Sequence, residues 1–221
     1  MKTIAIAMQK GGVGKSTLTR SLAVAATESG LNVLALDMDA QQSTSQWASR
    51  RSAELPLVRF VTEIELPKVL KQAEEAGCDL VLIDTPPARS TEAPAAVEFA
   101  DLVLVPCSPD IEAYEQLPRT ERLARTTGKP AVAVLTLAQP NSRTEEEIAR
   151  EIFQKLKLAM APAVIHRFKV HRDASREGLS AQEMEPDSKA AQEIAALWDW
   201  VCAQLQMGTS APVHKKKRIK G

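Results

Sequence analysis

The stretch Lys10-Gly11-Gly12-Val13-Gly14-Lys15-Ser16-Thr17 is suited to holding phosphate. Its glycines let backbone N–H groups turn inward, and the run from Leu18 onward supplies a helix N-terminus with a positive partial charge. Lys15 is placed to reach terminal phosphates, and the Ser16 hydroxyl to complete the shell of a Mg²⁺ ion. The general loop pattern G-x-x-x-x-G-K-[ST] would put its first glycine at position 9, where this chain has Gln9. An additional lysine, Lys10, stands at the start of the turn. Two acidic motifs could complete the chemistry. Asp37 and Asp39, one residue apart, fall on the same side of an extended strand, which suits a metal-and-water site beside a triphosphate. Asp84 closes the apolar run Leu80-Val81-Leu82-Ile83, the placement of a carboxylate that holds Mg²⁺ through water. Phosphoryl transfer needs positioning and charge neutralisation rather than a covalent group, and this set supplies both.

Such residues work only if several strands end together and a helix starts at the loop. The apolar pattern predicts strands over residues 3–8, 32–37, 58–61, 80–84, 102–106 and 131–137, with a weak one near 163–165. Helices are predicted over 16–29, 43–51, 66–76, 91–100, 111–127, 144–157 and 188–206. Strands alternating with helices predict an α/β fold: a doubly wound, mostly parallel sheet flanked by helices. Ligands of such sheets sit at the carboxyl ends of the strands, where each motif above falls. Residues 1–206 read as one domain and 207–221 as a flexible basic tail. In the last helix Ala191, Ile194, Ala195, Trp198, Val201 and Leu205 share a face; Trp198 and Trp200 read as packing and boundary residues.

Composition narrows the function classes. The 221 residues are enough for a substantial core, and with aromatics at 4% that core is aliphatic. Runs of Val, Leu, Ile and Ala suit parallel strands buried on both faces. Formal net charge is zero, but the segment from His214 to Gly221 holds five of the 28 basic residues and no acid. Cys78, Cys107 and Cys202 are single and widely spaced, which excludes a disulfide framework and argues against a zinc or iron–sulfur site. No signal peptide is legible, and no run approaches the roughly 18–20 apolar residues of a membrane span. A reducing cytoplasm fits. Between residues 164 and 178, Arg167, Lys169, Arg172 and Arg176 outnumber Asp173 and Glu177. His166 and His171 lie five apart, do not share a helix face, and read as surface or DNA-facing residues.

The segment from Gln9 to Thr17 resembles the deviant Walker A motif of the ParA/MinD family of ATPases. Asp37-Met38-Asp39-Ala40-Gln41 is similar to that family's D-x-D-P-Q, with Ala40 in the place of the proline. Asp84-Thr85-Pro86-Pro87 and Glu185-Pro186-Asp187-Ser188-Lys189-Ala190-Ala191 also resemble family segments. The resemblance implies a P-loop NTPase that binds ATP and Mg²⁺ and hydrolyses slowly until a partner stimulates it. It implies that Lys10 reaches across a nucleotide-sandwich dimer to the partner's ATP. Asp39 would position or activate the attacking water, and Asp37 would support the site and its Mg²⁺.

The implied cycle is an ATP-dependent homodimer that binds nucleoid DNA without sequence preference and is released by a ParB-like adaptor. Arg167, Lys169, Arg172 and Arg176 are then candidate DNA contacts, since Lys and Arg neutralise phosphates. The tail residues Lys215, Lys216, Lys217 and Arg218 could add to them or serve as a solubilising end. Segregation of plasmid or chromosome is the first expectation. Positioning of another cargo, in conjugation, chemotaxis or a microcompartment, is the alternative, and a P-loop metabolic ligase a more distant one. The chain starts at its first strand, so the expectation is the small class without an N-terminal helix-turn-helix. MinD-like membrane attachment is not expected, because Ile219 is alone among lysines and cannot form an apolar face. Candidate adenine contacts are Ala138-Gln139-Pro140-Asn141 and Glu185-Pro186-Asp187.

Overall fold

The computed structural model describes residues 1–87 and 91–208. Its strands are β1 (Lys2–Ile6), β2 (Val33–Asp37), β3 (Leu57–Phe60), β4 (Leu80–Asp84), β5 (Leu102–Cys107), β6 (Ala131–Ala138), β7 (Ala159–Met160) and β8 (Ile165–His166). Its helices are α1 (Lys15–Glu28), α2 (Ser43–Ser49), α3 (Leu66–Glu75), α4 (Glu92–Phe99), α5 (Ile111–Thr126), α6 (Arg143–Lys155), α7 (Lys169–Arg176), α8 (Ala181–Met184) and α9 (Lys189–Leu205). The strands form one parallel sheet in the order β3-β2-β4-β1-β5-β6-β7, with β8 also pairing to β6. The doubly wound sheet expected from the alternation is therefore present.

Alternating side chains explain why the strands read as unbroken apolar runs. Ile4 and Ile6 of β1, with Leu80 and Leu82 of β4, pack on one side against Leu18 and Leu22 of α1 and Ile194, Trp198 and Val201 of α9. Ala5, Val81 and Ile83 face the other side, with Leu66 and Val69 of α3, Leu117 of α5 and Phe153 of α6. With both faces covered, the central strands are mostly apolar until they end, and the buried Thr3 of β1 and Thr136 of β6 are exceptions. Trp198 is buried and its indole N–H donates to Ser29 Oγ at 2.9 Å, a packing role as its helical spacing predicts.

The sheet's register places the chemistry. β1 is central, with β4 on one side and β5 on the other. Ile6 pairs with Asp84, and Asp84 with Asp37. The loop leaving β1 and the carboxylates ending β2 and β4 thus emerge at one level, at the point where chain direction across the sheet reverses. The region after β6 departs from expectation. The weak strand near 163–165 is replaced by two strands of two residues each, and α7 and α8 occupy residues left unassigned by periodicity. Such short strands have no period to read, and α7 buries only Val170 and Ala174.

α2 joins this region to the site. Trp47 is fully buried, its indole N–H donates to the Leu179 carbonyl at 3.0 Å, and the Arg51 guanidinium lies 4.5 Å over its ring. Arg51 also pairs with Glu183 at 2.7 Å. Gly178 sits directly against this turn: a Cβ there would lie 2.5 Å from the Arg50 carbonyl carbon, and φ is +71°. Only glycine satisfies both demands.

Candidate nucleotide site

The loop between β1 and α1 is a cradle. Gly12 and Gly14 have φ of +78° and +89°, the left-handed region that turns amides inward. Gly14 is the N-cap of α1, and among the described residues no side chain caps the first turn. The free amides there are an anion site for a phosphate to fill. Val13 lends its backbone rather than its side chain. It is buried, and its carbonyl accepts the Thr136 hydroxyl at 2.8 Å, which pins the loop to β6.

Lys15 is 7% exposed and its Nζ donates to the Lys10 carbonyl at 3.1 Å. Burial pulls its pKa down, opposed by the fields of Asp84 and Asp39. The ammonium is thus held in the loop's curl beside the two carboxylates. The Lys10 side chain is half-buried and close enough to act on Asp110, the N-cap of α5.

Asp84 is fully buried. Its Oδ2 accepts the Thr44 hydroxyl at 2.7 Å, whereas its Oδ1 has no partner among the described residues. Burial raises its pKa to about 6; hydrogen bonds from Thr44 and Ser16 work against that rise, Asp37 adds to it, and Lys15 opposes it. An unpaired buried carboxylate oxygen beside the Ser16 hydroxyl fits a hard cation that takes oxygen ligands and keeps waters. Among the described residues no group of three or more His, Cys, Asp or Glu side chains could hold a metal unaided. A Mg²⁺ ion here would depend on phosphate oxygens, with Ser16 and Asp84 completing its surroundings.

Asp37 is buried and hydrogen-bonded at both carboxylate oxygens. Its Oδ1 accepts the Asp39 N–H at 3.1 Å, and its Oδ2 accepts the Ser45 N–H at 2.8 Å and the Ser45 hydroxyl at 2.9 Å. A carboxylate that accepts from these three donors braces the loop that carries Asp39. Asp39 itself is half-buried and accepts the Gln41 N–H at 2.9 Å. Thr44 and Ser45 were not legible as site residues; both lie in the first turn of α2 and act only through the sheet register.

Beside the loop opens a cleft of about 670 Å³. Gly12, Gly14 and Thr17 form one wall, Thr136 and Leu137 the floor, and Arg167, Phe168, Lys169, His171, Arg172 and Arg176 the opposite wall. The four basic residues nominated for DNA are exposed, yet they line the rim of this cleft. Asp173 on the same helix approaches Lys169, Arg172 and Arg176 at 3.3, 3.5 and 3.7 Å. Lys215, Lys216, Lys217 and Arg218 lie outside the described residues.

One further expectation is corrected. His166 is not a surface residue: its Nδ1 lies 2.7 Å from Glu193 and its Nε2 3.7 Å from Glu146. His171 lies in the cleft wall, with neither ring nitrogen partnered among the described residues. Of the adenine candidates, Gln139 lines a smaller pocket with Lys10 and Asp110. Glu185 lines another, on the flank of α7 that carries Val170 and Asp173. α7 residues line the main cleft, and the helical character of that segment was not legible in the sequence.

Comparison with known proteins agrees with this geometry. The family model described as CobQ/CobB/MinD/ParA nucleotide binding domain matches residues 4–187. A maintenance of carboxysome distribution protein A from Gloeobacter kilaueensis is 32% identical over 209 residues, covering 89% of this chain and 95% of that protein. A chromosome partitioning protein ParA from Caulobacter vibrioides is 27% identical over 201 residues, covering 69% of this chain and 75% of that protein. Among solved structures, the septum site-determining protein MinD complexed with Mg-ADP from Pyrococcus horikoshii superposes with a TM-score of 0.76 at 22% identity, covering 96% and 99% of the two chains.

Proposed function

Since the chain belongs to the CobQ/CobB/MinD/ParA nucleotide-binding domain family, we propose that it is a Mg²⁺-dependent ATPase that positions a cargo within the cell. The observation that carries this is the unpartnered Asp84 Oδ1 beneath a phosphate cradle that also contains Lys10 and Lys15. A bound Mg²⁺ would neutralise phosphate charge. The chain's own residues do the rest. Loop amides and Lys15 bind the phosphates, Asp37 and Ser45 hold the Asp39 loop in place, and Asp39 directs a water at the terminal phosphate. Lys10 extends toward the nucleotide of a second copy, so that dimerisation follows ATP binding.

Asp39→Ala tests the hydrolytic step. ATP binding and dimerisation should persist while phosphate release stops, read by a phosphate-release assay beside sedimentation. Normal turnover in this variant would remove Asp39 from the water-directing role.

The cargo reading departs from the first expectation. A relative matched nearly end to end at 32% identity is named for carboxysome distribution, which favours the alternative of a protein microcompartment over a plasmid or chromosome. In cells lacking the chain, microcompartments should cluster while plasmids are inherited normally. Plasmid loss with evenly spaced microcompartments would restore the partition reading.

DNA serves as the track in this proposal. With ATP, and not with ADP, the chain should sediment with DNA of arbitrary sequence. Arg167→Glu with Arg172→Glu should weaken that binding and reduce the logarithmic salt slope by about two, roughly one for each phosphate no longer neutralised. An unaltered salt titration would place the DNA surface elsewhere.

A further inference from the structure

Arg20 is a half-buried cation that the functions assigned so far leave unused. It stands one turn beyond Ser16 on α1 and lines the cleft together with Thr17. Its Nε donates to the Ser16 carbonyl at 2.9 Å, its Nη2 to Thr17 Oγ1 at 3.3 Å, and its Nη1 to Ser175 Oγ of α7 at 3.0 Å. One side chain thus spans the first turn of α1 and the opposite wall of the cleft. All three acceptors are neutral. Burial pulls the Arg20 pKa down to about 10, a fall that the field of Asp84 opposes. Holding a cation on neutral acceptors where water is partly excluded is costly, and an anion entering the cleft offsets that cost.

Thr17 shows what the contact does. A hydroxyl has one proton to give and two lone pairs to offer. Thr19, two residues on, spends its proton on the Lys15 carbonyl at 3.0 Å. Thr17 instead accepts from Arg20, and its own proton has no acceptor among the described residues. With the guanidinium on one side of the oxygen, the O–H must point elsewhere, and Thr17 forms part of the cleft wall. Lys15 is placed for the terminal phosphates, so Thr17 is left to the phosphate nearer the nucleoside.

We propose that Arg20 is a positioning residue of the nucleotide site, fixing Thr17 as a hydrogen-bond donor to phosphate and tying that donor to the α7 wall. This rests on the cleft being the nucleotide site. A double-mutant cycle on the full chain with Mg²⁺ tests it, by calorimetric titration with ATP and circular dichroism for folding. Thr17→Val removes the hydroxyl at nearly constant shape and should weaken ATP by about tenfold, the worth of one hydrogen bond to a charged group. Arg20→Met should cost at least as much. In the Arg20→Met background Thr17→Val should cost only about twofold, because the hydroxyl is no longer directed. Arg20→Lys gives a second cycle should Arg20→Met not fold, and should lose the coupling too, since an ammonium cannot reach three acceptors at once. Ser175→Ala removes only the arm to α7 and should stay within about threefold of the wild type. Inorganic tripolyphosphate should follow ATP in each variant, the effect lying at the phosphate end.

The proposal is overturned if Arg20→Met binds ATP as the wild type does, or if the Arg20 and Thr17 losses simply multiply. It is equally overturned if Ser175→Ala loses as much as Arg20→Met, which would make Arg20 only a strut for α7. In each of these cases a wild-type chain that binds ATP and tripolyphosphate leaves the nucleotide site standing. A wild-type chain that binds neither refutes the site itself, and this role with it.

Discussion

Lys15→Ala is expected to lower ATP affinity by about two orders of magnitude or more, the scale of removing one partner from a desolvated charge pair. The expectation follows from where the ammonium sits. It is almost buried, its Nζ is anchored on the Lys10 carbonyl, and Asp84 and Asp39 supply its countercharge. A triphosphate entering the loop brings negative charge to a cation that burial has made costly. The interaction is therefore larger than a surface lysine could supply. Lys15→Arg should not rescue binding, because a planar guanidinium cannot occupy the curl that holds a compact ammonium. Calorimetric titration with ATP, with far-UV circular dichroism as the folding control, reads both variants. Unchanged affinity in a folded Lys15→Ala protein would dismiss the cradle.

Mg²⁺-dependent ATP binding should collapse below about pH 6, falling roughly tenfold for each further pH unit as a proton competes for one carboxylate. The group responsible is Asp84, whose pKa burial raises to about 6. The same shift has a consequence for folding. Its folded pKa lies above the unfolded value, so between roughly pH 4 and 6 the folded state holds the extra proton. Stability from this group is present below that window and is lost as pH rises through about 6. The nucleotide-free chain should therefore be less stable at pH 8 than at pH 5 by about 1.4 kcal/mol on this account. Asp84→Asn should abolish both effects, raising metal-free stability at pH 8 while losing the Mg²⁺-dependent gain in ATP affinity at every pH. Urea denaturation at the two pH values and Mg²⁺ titrations across pH 5–8 test this. A Mg²⁺ affinity that is flat across pH 5–7 would take Asp84 out of the metal's surroundings.

The phosphate cradle was fully legible because it is local. Eight consecutive residues, Lys10 to Thr17, make the turn, the helix N-terminus and the cationic side chain, and no distant neighbour is needed to recognise them. The sheet was legible for a related reason. Burial on both faces forces mostly apolar runs, and the runs of β2 and β4 end on the buried carboxylates Asp37 and Asp84. Asp84 stood out at such an end.

Long-range register and the short elements after β6 escaped the sequence. Thr44 meets Asp84 across forty residues and Ser45 meets Asp37 across eight. Nothing in either neighbourhood signals the pairing, yet it makes Asp37 a brace for the loop that carries Asp39. α7 was hidden because only Val170 and Ala174 anchor its apolar face, too few to establish a period. Its folding carries Arg167, Lys169, Arg172 and Arg176 to the rim of the nucleotide cleft and aligns His171 with the wall. The loop proposed to hold phosphate could be read from the chain alone, since a contiguous loop carries its own geometry. Which side chains share the cleft emerged only on folding, since that depends on strand register and on a helix held in place by Arg20 of α1 and by Arg50 at the end of α2.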